Sequence, residues 1–256
     1  MSLAVLAMYD WPEIQFANDQ LWAGIASRLH DEGIDAPVHL SRDFEEEAPW
    51  RDPDLLLGQT CGYPYVKSLR GKVRLVATPN YDADACSGPE YSSWILVRQG
   101  SEISSIAGLR RYKAAVNHYR SHSGWNALRA TVPGSFSDVV VTGSHLNSMA
   151  AVGEGKADFC ATDGVCWALA KRYRPDIAAQ LRVIGQSQMA PGLPYITAGH
   201  RSDMEVEALR RAIRGMIEDP NLADAREAVL LDDISILDET EYDVIEDMER
   251  RGISSS

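Results

Sequence analysis

The chain has 256 residues, 45% of them apolar and 24% charged, a balance that allows one large domain or two of about 100–150 residues, each with its own core. Its formal net charge is −12, from 37 acidic against 25 basic side chains, which argues against a nucleic-acid partner and against anionic membrane surfaces. A small anion stays compatible with that charge, because backbone N–H groups and helix dipoles can dominate the field inside a cleft.

Residues 3–8 are an apolar first strand. Residues 12–30 carry Ile14, Leu21, Trp22, Ile25 and Leu29 near helical spacing, and Gly33 stops that helix. A short strand is expected at 38–40 and another at Asp54-Leu55-Leu56-Leu57-Gly58. A turn bearing glycine and proline follows, then a short helix at 66–69 and a strand at 73–77. The acid run 45–47 reads as a solvated loop. This strand–helix alternation predicts a mainly parallel, doubly wound α/β sheet. Residues 78–90 are loop by composition, and 91–97 form a long strand that opens a second α/β unit.

The short strand Lys113-Ala114-Ala115-Val116 leads into Asn117-His118-Tyr119-Arg120-Ser121-His122-Ser123-Gly124-Trp125-Asn126, a turn rich in hydroxyls that opens a helix. Backbone N–H groups at such a start are unpaired and sit at the positive end of the helix dipole, where an anion is favoured. Ser121 and Ser123 can cap the helix or donate to a bound oxyanion, together with the Gly124 N–H. A second turn of this kind, Thr142-Gly143-Ser144-His145-Leu146-Asn147-Ser148, follows the strand 139–141. There His145 can donate to a ligand, and Ser148 lies one helical turn from Ser144 and His145. Asp163, at the end of a further strand, either accepts from a ligand amine or caps the helix after it. The second unit runs to about 184. After an irregular stretch at 187–194 come a strand at 195–198, helices at 204–217 and 221–229, and a polar tail. Two lobes are therefore expected: 1–85 with 197–256, and 91–186, with hinge crossovers at 86–90 and 187–196.

In the first lobe, Tyr9 and Asp10 end one strand, and Gln59 and Thr60 end another, where doubly wound sheets gather ligands. Trp11, Tyr63, Tyr91, Trp125 and Trp167 are aromatics able to stack on an organic group or to pack the lobes. The cysteines lack zinc spacing, so no metal is expected; Cys61 and Cys86 are either a disulfide or, with Cys160 and Cys166, buried thiols. A nucleophile elbow, a phosphate-binding loop and a zinc-protease helix are all missing, so no catalytic residue and no cofactor is assigned.

Taken in order, several segments resemble the phosphonate-type substrate-binding proteins of ABC transporters, which have the type II periplasmic binding protein fold. They are Asp54-Leu55-Leu56-Leu57-Gly58-Gln59-Thr60, Tyr91-Ser92-Ser93-Trp94-Ile95-Leu96-Val97-Arg98 and Ile103-Ser104-Ser105-Ile106-Ala107-Gly108-Leu109-Arg110. Further on come Ser121-His122-Ser123-Gly124, Gly143-Ser144-His145-Leu146-Asn147-Ser148, Gly155-Lys156-Ala157-Asp158-Phe159-Cys160-Ala161-Thr162-Asp163 and Pro191-Gly192-Leu193-Pro194. The resemblance implies a two-lobe receptor for a small anionic or zwitterionic ligand such as a phosphonate or phosphate-like compound, with an ABC permease as partner. It places Ser121, Ser123, Gly124, Ser144, His145 and Asp163 at the ligand. His122 departs from the family, which has a small hydroxyl residue there. The start Met1-Ser2-Leu3-Ala4-Val5-Leu6 has no basic segment or cleavage site, so a periplasmic location is expected if a leader has been removed and a cytoplasmic one otherwise. An enzyme of cofactor biosynthesis or a ligand sensor on the same fold are the alternatives.

Overall fold

The computed structural model describes residues 2–45, 47–132 and 134–254. In chain order it runs β1 (Leu3–Val5), α1 (Gln15–Asp31), β2 (Leu55–Gln59), α2 (Gly62–Pro64), β3 (Val73–Tyr81), β4 (Cys86–Ser87), β5 (Glu90–Tyr91), β6 (Ser93–Arg98) and β7 (Lys113–Val116). It continues with α3 (Ala127–Thr131), β8 (Asp138–Val141), α4 (His145–Gly153), β9 (Phe159–Asp163), α5 (Gly164–Tyr173), α6 (Pro175–Ala178), β10 (Leu181–Gln186) and β11 (Ala190–Pro191). It ends with β12 (Tyr195–Ala198), α7 (Asp203–Glu218), α8 (Ala223–Ala228), β13 (Leu231–Ser235) and α9 (Asp243–Ser254). These elements gather into two compact units, 1–82 with 191–241, and 83–190 with 242–256. Among the described residues no helix is long and apolar enough to cross a membrane.

The first unit is built on a five-stranded sheet in the order β1-β2-β12-β3-β13. Leu55, Leu56 and Leu57 of β2 are all fully buried, as a continuous apolar run in a central strand requires. On α1, Leu21, Trp22, Ile25 and Leu29 form the buried stripe, and the helix packs on α7 and α8. Gly33 ends α1 in the left-handed region (φ +76°), with its N–H on the His30 carbonyl and the Ile34 N–H on Leu29. A reciprocal cap opens α7: Ser202 Oγ accepts from the Glu205 N–H, and the Glu205 carboxylate accepts from the Ser202 N–H.

The second unit carries the sheet β10-β6-β9-β7-β8. Ile95, Val97, Ala114, Val116, Phe159 and Ala161 of its strands pack with Leu109, Leu128 and Val132 into one dry core.

Several expectations need correction. Both sheets are mixed rather than mainly parallel, because β12 and β13 run antiparallel to β2 and β3, and β6 runs antiparallel to β9 and β10. No strand forms at 38–40; Val38 is 73% exposed, and the Ser41 N–H reaches back to the Ala4 carbonyl. β3 runs on to Tyr81, through the first four residues of the stretch read as loop, and β13 occupies part of the polar tail. Its Asp232 and Asp233 hide the buried Leu231 and Ile234. Residues 242–256 join the second unit and not the first, because Tyr242, Ile245 and Met248 are fully buried and α9 packs along α3. All four cysteines carry thiols, with Cys61, Cys160 and Cys166 buried and Cys86 partly exposed. Within the acid run, Glu46 lies outside the described residues, and Glu47 pairs with Arg51 at 3.4 Å.

Candidate functional site

In the second unit, two strand-to-helix turns lie side by side because β7 and β8 are parallel neighbours. The pairing continues past the strands: the Thr142 N–H donates to the Val116 carbonyl at 2.8 Å, and the Gly143 N–H to Asn117 at 3.0 Å. Gly143 takes φ +86° at this join. Beyond Asn117 the chain enters a wide helical turn, His122–Asn126, that feeds α3. Ser121 caps it in extended geometry, its Oγ accepting from the Gly124 N–H at 3.0 Å. The Gly124 N–H is thus engaged by the cap, while the Ser121 hydroxyl keeps its own hydrogen to donate. A larger residue at Gly124 would have to displace the Asn117 side chain. A Cβ there would stand 1.9 Å from Asn117 Oδ1 and 3.1 Å from His145 Cε1.

His145 opens α4 and reaches across to the first turn. Its Nε2 lies 2.9 Å from Ser123 Oγ and 3.4 Å from Asp163 Oδ2. Burial lowers the His145 pKa, against the opposing pull of the Asp163 carboxylate and the Ala161 carbonyl. Ser144 caps α4 with its Oγ on the Asn147 N–H at 3.1 Å, and Asp163 caps α5 with Oδ1 on the Cys166 N–H at 2.8 Å. Ser148 is fully buried and pairs with Thr142 Oγ1 at 2.6 Å, beneath the second turn rather than beside Ser123. Ser121, Ser123, Gly124, His145 and Asp163 are therefore brought together. This is not a nucleophile relay. Such a relay has serine and acid on opposite imidazole nitrogens, whereas here both face Nε2.

His122 begins the same turn and is 2% exposed, with the Tyr91 ring edge-on at 6.0 Å. Burial brings its pKa down to about 4, so it is neutral at pH 7. Its Nδ1 lies 3.2 Å from Asn126 Nδ2. From Trp125, on the same turn, a chain of aromatic contacts runs outward to Tyr119 (5.0 Å) and inward through Phe136 (6.0 Å) to Phe159 (5.8 Å). The Arg129 guanidinium lies 5.4 Å from the Trp125 ring.

In the first unit, Gln59 and Thr60 lie at the end of β2, but β1 stops at Val5, so Tyr9 and Asp10 lie in the loop before α1 rather than at a strand end. Asp10 is engaged within the unit: it accepts from Arg42 Nε at 2.6 Å, Arg42 Nη2 at 3.0 Å and Asn18 Nδ2 at 2.9 Å. Gln59 donates both amide hydrogens, to Tyr81 Oη at 3.0 Å and to the Leu193 carbonyl at 3.3 Å. Tyr9 packs edge-on against Tyr81 at 5.2 Å. Thr60 is fully buried, with its hydroxyl on the Cys61 carbonyl at 3.3 Å and its N–H on Pro194.

Sequence reasoning missed Tyr81, Asn117 and Asn126. Tyr81 was hidden in a stretch taken for loop. Asn126 is missed because its firmer partner, the Ile245 carbonyl, is remote in the chain, and Asn117 because only the fold brings its amide against Gly124.

Two α/β units, each with a mixed five-stranded sheet, are the architecture of type II periplasmic binding proteins. The chain belongs to the family of ABC-transporter phosphonate periplasmic substrate-binding proteins, whose profile matches residues 51–242. No curated protein matches it in sequence. Among solved structures, it is similar to a binding protein component of an ABC phosphonate transporter from Pseudomonas aeruginosa (TM-score 0.78, 15% identity, 100% of this chain and 90% of that one). It is also similar to PhnD1 from Prochlorococcus marinus in complex with methylphosphonate (TM-score 0.75, 15% identity, 100% and 99% covered). A third is XAC2383 from Xanthomonas citri bound to ATP (TM-score 0.72, 18% identity, 100% and 98% covered). The chain is thus a solute-binding protein of transporter type.

Proposed function

We propose that the solute is a small molecule ending in a tetrahedral oxyanion, a phosphonate first, held by the paired turns of the second unit. The observation that carries this reading is the 2.9 Å contact between Ser123 Oγ and His145 Nε2, where two helix starts converge. The Ser121 and Ser123 hydroxyls supply donors there, the His145 imidazole orients the Ser123 hydroxyl through Nε2, and the helix dipoles add positive potential. Both oxygens of Asp163 already face donors, Cys166 N–H and His145, so this carboxylate holds His145 in place rather than awaiting a ligand amine. Methylphosphonate and ATP, the ligands of two similar proteins, share a tetrahedral phosphorus bearing oxygens. In keeping with the family, the protein works in the periplasm and hands its ligand to a membrane permease.

Calorimetry with methylphosphonate, phosphate and sulfate tests this. Replacing Ser123 and His145 together by alanine removes a hydrogen bond to a charged ligand and the group that orients it, and should weaken binding by roughly tenfold to a hundredfold. Unchanged affinity in a folded double variant would refute the site. No binding of any tetrahedral anion by the wild-type chain would refute the ligand class.

A further inference from the structure

Asn126 joins the first turn to the last helix of the chain. Its Nδ2 lies 2.9 Å from the Ile245 carbonyl of α9 and 3.2 Å from His122 Nδ1. Both side chains are buried, His122 at 2% and Asn126 at 4% exposure, and Ile245 is fully buried. A carbonyl oxygen can only accept, so the amide atom facing Ile245 must be the nitrogen. The amide orientation then follows from chemistry. That NH2 group has two hydrogens and two acceptors, one each for Ile245 O and His122 Nδ1. A nitrogen that accepts cannot carry a proton, so the His122 proton sits on Nε2.

The contact is not an isolated one. At the far end of α9, Arg129 Nη2 donates to the Gly252 carbonyl at 3.2 Å. A Cβ on Gly252 would stand 3.0 Å from Arg129 Cβ and 3.3 Å from the Arg129 carbonyl carbon, so the helix lies close against the backbone of α3. Arg129 also lies over Trp125, one residue before Asn126. α9 therefore grips the segment carrying the anion turn at two places.

We infer that Asn126 is a positioning residue for the anion-binding turn, locking His122 as the Nε2–H imidazole and tying the end of the turn to the Ile245 carbonyl of the C-terminal helix. The assignment of that turn to anion binding rests on the function proposed above; the lock itself does not. A threonine or serine at 122 would have no nitrogen to accept from Asn126. The histidine that departs from the family pattern and the amide four residues on thus work as one device.

The test uses the full chain with ¹⁵N-labelled histidine. Long-range proton–nitrogen spectra of the ligand-free wild type should show His122 Nδ1 as the unprotonated nitrogen and Nε2 as the protonated one. In Asn126→Asp a carboxylate replaces the donor, so the proton should move onto Nδ1. In both Asn126→Asp and Asn126→Leu the Gly124 amide should exchange faster with solvent, because the turn it braces is loosened. Methylphosphonate affinity should fall by roughly tenfold in these variants, the worth of one buried hydrogen bond. A proton on Nδ1 in the wild type overturns the lock without recourse to any variant. So does a turn whose amide exchange and ligand affinity are unmoved when the tautomer changes. A wild type that ignores methylphosphonate refutes the ligand reading instead, and the ligand-free spectra and exchange rates then decide the lock.

Discussion

His122 and Gly124 show how far a single side chain can set the character of this site. His122 is neutral in the fold with a pKa near 4, against an ordinary value of 6.5. Between these values the unfolded chain takes up a proton that the folded chain refuses. Its contribution is therefore fully present above pH 6.5 and is lost as pH falls toward 4, by roughly 3 kcal/mol in all. His145, also lowered by burial, acts in the same direction. Glu205 has a pKa brought down to about 2 by the Ser202 N–H and Arg201, so its effect comes below the histidine window. Urea unfolding at pH 7 and near pH 5 should show the loss, and His122→Asn should remove a large part of it. An equal loss in the variant would contradict the burial argument. Gly124, Ser121 and Ser123 were legible in the sequence because hydroxyls and a glycine at a strand-to-helix turn have a local chemical meaning. Asn126 was not, because its acceptor Ile245 lies 119 residues away along the chain.

Among the elements, α9 carries most of what sequence reasoning could not place. Its apolar residues mark a helix with one buried face, yet periodicity does not say which core that face will cover. Tyr242, Ile245 and Met248 answer this by packing into the second unit. Met248→Ala should cost about 2–5 kcal/mol, the usual range for emptying a fully buried site of this size. Denaturant unfolding checks this, and a change below about 1 kcal/mol would mean that the α9 seat is loosely packed. α1 and α7 were read nearly to their ends, α1 with the help of a glycine stop, while the serine–glutamate cap that opens α7 went unread. β13 was lost because two aspartates interrupt its apolar pattern, and the extra length of β3 because proline and asparagine at 79 and 80 look like turn residues.

At the scale of the whole molecule, a net charge of −12 opposes the approach of the anion that the paired turns are proposed to hold. Local N–H groups and dipoles act within a few ångströms, while the global field reaches out to a Debye length. Raising the ionic strength from about 10 mM to 150 mM shortens that length from about 30 Å to 8 Å. Association of a dianionic phosphonate should therefore quicken with salt, while its dissociation changes little. Stopped-flow kinetics at the two salt levels measures both, and association that slows with salt would show that a local positive field governs entry. The two-unit α/β class was legible from the alternation of strand and helix patterns. The antiparallel strands were not, because β12 returns to the first sheet from more than a hundred residues away and strand direction leaves no mark on composition.

The run of rings from Tyr119 through Trp125 and Phe136 to Phe159 has an optical consequence. Indole emission depends on the charge and polarity around the ring, and the Trp125 indole sits next to Gly124 on the proposed ligand turn with a guanidinium close to its ring. The chain thus carries a built-in fluorophore at the place where an anion would arrive. With the other five tryptophans replaced by phenylalanine, its emission should shift when the anion binds, with no dye attached.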